Sequence, residues 1–104
     1  MRTVAETPVF QRYAQEVWSD AERAEFISWI AAHPEAGDVI PGSGGCRKVR
    51  WASGGHGKRG GARVIYFNLT VDTIWLLIVY KKAQFDNLPT AFLAELKRGV
   101  EDAL

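Results

Sequence analysis

The 104 residues are 47% apolar, enough for one small core, so a disordered chain is excluded and a single domain spanning 1 to 104 is expected. The lone Cys46 closes no internal disulfide, no run of eighteen apolar residues or charged-then-apolar leader occurs, and Cys46 with His33 and His56 falls short of a zinc set. A cytoplasmic protein that spans no membrane and holds no metal or cofactor is expected. The formal charge of +1 conceals a division: residues 1 to 38 carry three basic and seven acidic side chains, 39 to 85 eight and one, 86 to 104 two and four.

In chain order, Arg2 to Glu6 reads as an edge strand, and Pro8 suits the first turn of a helix whose Phe10, Tyr13, Ala14 and Val17 recur at helical spacing. Ser19-Asp20-Ala21-Glu22 is a capping box that starts a second helix, from about Asp20 to His33, where Pro34 ends it. Gly42, Gly44 and Gly45 mark a turn. Arg47 to Ala52 then alternates as a strand, with Val49 and Trp51 on the core side and Lys48 and Arg50 together on the other. Arg63 to Leu69 and Ile74 to Tyr80 follow as strands, although the apolar run of the latter also suits a buried helix. An antiparallel meander of these three would set Arg63 opposite Lys81 and Ala52. Pro89 opens a last helix, with Phe92, Leu96 and Val100 on one face. The order β-α-α-β-β-β-α gives an α+β fold, a mainly antiparallel sheet packed with helices.

Val39 to Val71 contains no Asp or Glu, yet carries Arg47, Lys48, Arg50, Lys58, Arg59 and Arg63 among eight glycines. Segregated charge of this kind focuses a field on a phosphate-bearing partner, which points to RNA or DNA. Ser53 to Gly61 is not a nucleotide-binding P-loop, because Ala52 and Arg59 stand where glycine and a hydroxyl residue are required. It is read as a loop that carries cations to phosphate. In the meander, Arg50, Arg63, Lys81 and Lys82 gather at one sheet end and repel each other unless an anion bridges them. His56 is an acid–base candidate by residue type, a phosphate contact or an idle loop residue. Tyr66 or Tyr80 offers a ring to a base or a hydroxyl to a phosphate.

Gly37-Asp38-Val39-Ile40, Gly44-Gly45-Cys46-Arg47-Lys48-Val49-Arg50, the block from Gly57-Lys58-Arg59 through Arg63-Val64-Ile65-Tyr66, and Tyr80-Lys81-Lys82 resemble the RelE/HigB toxin family, most closely its HigB-like branch. The resemblance covers nearly the whole chain. It implies the compact RelE-like fold and a type II toxin–antitoxin toxin, a metal-independent endoribonuclease (mRNA interferase) that inhibits translation by cutting mRNA in the ribosomal A site. It implies two partners, the ribosome with its mRNA and a cognate antitoxin, HigA-like or other, encoded adjacently. By motif, Lys48, Arg50, Arg63 and Lys82 are the implied catalytic residues: Arg63 and Lys82 stabilise the phosphate, and Lys48 or Arg50 positions the strand or moves a proton. Arg47, Lys58, Arg59, Lys81, Tyr66 and His56 are implied contacts to RNA or ribosome. The chain departs from some relatives in having no tyrosine after Tyr80. Two other readings stand beside this one, a non-enzymatic toxin like the gyrase-inhibiting ParE branch and an inactive RNA-binding module.

Overall fold

A computed structural model of the chain describes residues 2–52, 55–56 (backbone only), 61–85 and 87–104. It opens with strand β1 (Thr3–Glu6), which runs parallel to β6 (Thr73–Tyr80) as an edge of the sheet. Thr7 then starts helix α1 (Pro8–Val17): its hydroxyl oxygen accepts from the Phe10 N–H at 3.0 Å, and Pro8 supplies the preset first turn. The predicted capping box is present at α2 (Asp20–Ala32), with the Ser19 side chain accepting from the Glu22 N–H at 3.2 Å and the Glu22 carboxylate from the Ser19 N–H at 2.9 Å. His33 caps the far end, one residue short of the predicted limit.

Two-residue β2 (Asp38–Val39), then β3 (Arg47–Ala52), two-residue β4 (Gly55–His56) and β5 (Ala62–Asn68) follow, and the chain ends in α3 (Thr90–Ala103). The sheet is mixed, ordered β1-β6-β5-β3-β2, with β4 pairing the end of β3. β3, β5 and β6 form the predicted antiparallel meander.

The register differs from expectation: Arg63 faces Arg50 on one side and Tyr80 on the other. Asn68 pairs with Ile74, so the turn centres on Val71, and β6 then carries an extra residue, Leu77, between the pairs Tyr66↔Leu76 and Ile65↔Ile78. That bulge shifts every later pairing by one. On the β3 side, the expected pairing of Arg63 with Ala52 is displaced by two residues, and the end of β3, Trp51 and Ala52, pairs with β4. Gly61 is required where β5 begins, because a Cβ there would lie 2.6 Å from the Trp51 carbonyl oxygen.

Each sheet face carries a core. Val49, Trp51, Val64, Tyr66 and Leu76 pack with Phe10, Phe26 and Ile30 of α1 and α2. On the other face Ile65, Phe67, Leu77, Ile78 and Tyr80 pack with Leu93 and Val100 of α3. The apolar face of α3 is Leu93, Leu96 and Val100; Phe92, predicted for it, is 41% exposed. Thr7 joins α1 to the bulge, since its buried hydroxyl also donates to the Leu77 carbonyl at 3.0 Å. Thr7→Ala removes the cap and orphans that carbonyl, and is expected to lower unfolding stability by about 1–2 kcal/mol, read as a lower urea midpoint.

Candidate nucleic-acid interface

Strand parity builds the site. In β3, Val49 and Trp51 are buried beneath α1 and α2, so Lys48 and Arg50 project from the α3 face. In β5, Val64 and Tyr66 join the same core and Arg63 projects with Ile65 and Phe67. The pairings Arg50↔Arg63 and Arg63↔Tyr80 therefore form one row across three strands, with Lys48↔Ile65↔Ile78 as the next row. Directly opposed side chains in an antiparallel pair have Cβ atoms about 4.5–5.5 Å apart, and like charges placed so destabilise the sheet. Neither arginine of the row forms an ion pair among the described residues, whose pairs include Arg23–Glu6, Lys97–Glu101 and Arg98–Glu95. Arg50 is exposed and Arg63 half-buried.

Lys81 and Lys82, both exposed, follow Tyr80 directly at the same end. Their turn is held by the Lys81 N–H donating to the Gln84 side chain at 2.8 Å and the Gln84 N–H to the Lys81 carbonyl at 2.9 Å. Tyr80 is 1% exposed, its ring edge-on to Phe85 at 5.8 Å. Burial raises the pKa of its hydroxyl, partly offset by the Arg63 charge, so near neutrality it remains a proton-bearing donor.

The structure thus brings Lys48, Arg50 and Arg63 onto one face, with Lys81 and Lys82 close along the chain. Two other expected contacts lie elsewhere. Arg47 shares the parity of Val49, pairs with Tyr66, and donates to the carbonyls of Gly37 at 2.7 Å and Glu35 at 3.3 Å. It ties down the chain leaving α2. Tyr66 is fully buried on the α1/α2 face, where its hydroxyl donates to the Pro34 carbonyl at 2.9 Å and accepts from the Gly37 N–H at 2.9 Å. With both hydrogen-bonding roles filled and its ring enclosed, it has nothing to offer RNA. Lys58 and Arg59 lie outside the described residues, as does the side chain of His56, whose backbone pairs with Trp51.

What the row offers chemically is two guanidinium groups side by side, each able to donate paired hydrogen bonds to phosphate oxygens, with a lysine in the neighbouring row. Tyr80 completes the row at its inner end. Its parity with Arg63 follows from the register and not from spacing along the chain.

No family model matches the chain. Among solved structures it is similar to the Escherichia coli toxin RelE, in a double arginine-to-alanine mutant seen in the free state: 17% identity over 93% of this chain and 96% of that one, TM-score 0.56. At that identity the likeness concerns architecture, and the chain has the RelE-like fold.

Proposed function

We propose that the chain is a toxin of a type II toxin–antitoxin pair, of the HigB-like branch, and acts as a ribosome-dependent mRNA endoribonuclease. The observation that carries this is the directly opposed Arg50–Arg63 pair, which forms no ion pair among the described residues, on the sheet face that also carries Lys48 and Tyr80. A fold shared with the toxin RelE over nearly the whole of both chains supports it.

In the proposed reaction the RNA 2′-hydroxyl attacks the adjacent phosphorus in line. An O2′–P bond forms and the P–O5′ bond breaks, leaving a cyclic phosphate and a free 5′-hydroxyl. The 2′ proton departs during attack, and the leaving oxygen gains one. Arg63, centred in the row, and Lys82 neutralise the charge that grows on the phosphorane oxygens. Lys48 or Arg50 holds the strand or moves a proton, and Lys81 contacts the RNA backbone. No metal or cofactor takes part in this scheme. The ribosome supplies the mRNA in the A site, which converts much of the orientational cost into binding already completed. A cognate antitoxin, HigA-like or other, silences the chain in the cytoplasm.

The test is to incubate the purified chain with an mRNA, with and without translating ribosomes, and to map cut positions and end groups. Codon-spaced cuts that need ribosomes and leave cyclic-phosphate and 5′-hydroxyl ends are expected. An intact message under translating conditions sinks the nuclease reading, and a parallel supercoiling assay with gyrase then decides for or against a ParE-like action.

A further inference from the structure

At the other end of β6 from the arginine row lies a second surface. Trp75 stands five positions before Tyr80, roughly 16 Å along the strand. With Pro8 and Val9 of α1 and Leu96, Gly99 and Ala103 of α3 it lines a cavity of about 390 Å³. Thr7 and Glu95 supply the polar groups of the described lining, and the Thr7 hydroxyl is already committed to the Phe10 N–H and the Leu77 carbonyl. The rest of the lining is apolar.

Gly99 sits on this groove for no reason internal to the fold. In a helix interior glycine is the least favourable residue after proline. Yet a Cβ built on Gly99 would meet no atom within 4 Å among the described residues, and its φ is not positive. Neither crowding nor backbone geometry calls for glycine there. What a missing side chain on an open helix surface does is let another backbone come close. Ala103, one turn further on, extends the same low shelf.

Charge selects what fits. Glu95 and Asp102, both exposed, stand one turn before and one turn after Gly99. The last turn of α3 contains no basic residue, so the carbonyl end of the helix dipole adds to these carboxylates. Lys97 is drawn away, over the Phe67 ring and onto Glu101 at 2.7 Å. Arg98 meets Glu95 at 3.6 Å with both side chains largely in water, where such a pair is weak. RNA is repelled here, and so is a second copy of the same acidic helix. A cationic protein segment is attracted.

We propose that this groove docks an amphipathic helix of a partner protein. Leucine-like side chains of that helix enter the cavity, its backbone crosses α3 at Gly99 and Ala103, and lysine or arginine residues beside its apolar stripe meet Glu95 and Asp102. The surface is separate from the arginine row, and the proposal does not depend on the nuclease reading.

The probe is a synthetic amphipathic helix of leucine and lysine, beside a counterpart with glutamate in place of lysine. Binding to the folded chain is followed by NMR on the Gly99 and Ala103 amides and the Trp75 indole N–H. The lysine peptide should move these signals saturably, and the glutamate peptide should bind about tenfold more weakly. Gly99→Leu, which fills the cavity, should weaken the lysine peptide by about tenfold or more. Gly99→Ala should weaken it too while raising the melting temperature by about 4 °C, a loss of binding with a gain of stability that marks a residue kept for contact. Asp102→Lys should weaken the lysine peptide and strengthen the glutamate one. A lysine peptide that leaves the groove signals still, or binds both Gly99 variants as well as the parent, overturns the site. Equal binding of the two peptides overturns the basic partner. A parent chain that sediments as a dimer, dissociated by Gly99→Ala, puts a second copy in the groove and overturns the partner assignment.

Discussion

Arg63→Ala is expected to lower ribosome-dependent cleavage by about 10²–10³-fold, the usual consequence of removing one pre-positioned donor to developing negative charge. Arg63 is the middle member of the row, flanked by Arg50 and Tyr80, so a phosphate held by the pair loses its central contact when it goes. The same substitution relieves a directly opposed like-charge pair, and a gain in unfolding stability of about 0.2–1 kcal/mol is expected alongside the loss of activity. That opposition of signs is informative: a structural residue loses stability and activity together, whereas a residue kept for its charge trades one against the other. Arg63→Lys should recover part of the rate, because it restores charge without the planar fork. Full cleavage by Arg63→Ala on translating ribosomes would remove Arg63 from the mechanism.

How far the site was legible depended on whether its determinants are local. The capping box at Ser19 and the separation of Lys48 and Arg50 from Val49 and Trp51 need only neighbouring residues, and both hold. The facing of Arg63 needs the centre of the turn at Val71 and the bulge at Leu77, and the latter is stabilised by Thr7 across 70 positions of sequence. No short-range pattern carries that. Arg47 is a different case. Composition groups it with the other cations of the basic segment, while its parity with Val49 already sets it on the covered face.

Tyr66 carries the second large effect, and it falls on stability instead of RNA. Tyr66→Phe keeps the ring but orphans the Gly37 N–H and leaves the Pro34 carbonyl only the donor from the Asn68 side chain, and a loss of about 1–3 kcal/mol is expected, chiefly from the buried N–H left unpaired. Tyr66→Ala also empties a fully enclosed site and is expected to cost about 3–5 kcal/mol, as large aromatic truncations in cores do. Urea denaturation measures both losses. RNA affinity, read well below the melting temperature, should be unchanged in Tyr66→Phe, whose hydroxyl faces the carbonyl of Pro34 across the sheet from Arg63. An affinity loss in that variant with an unaltered urea midpoint would return Tyr66 to the RNA interface. The expected result instead assigns it, with Arg47, to holding the segment from Pro34 to Gly37 against β3 and β5, so that the arginine row rests on a rigid backing.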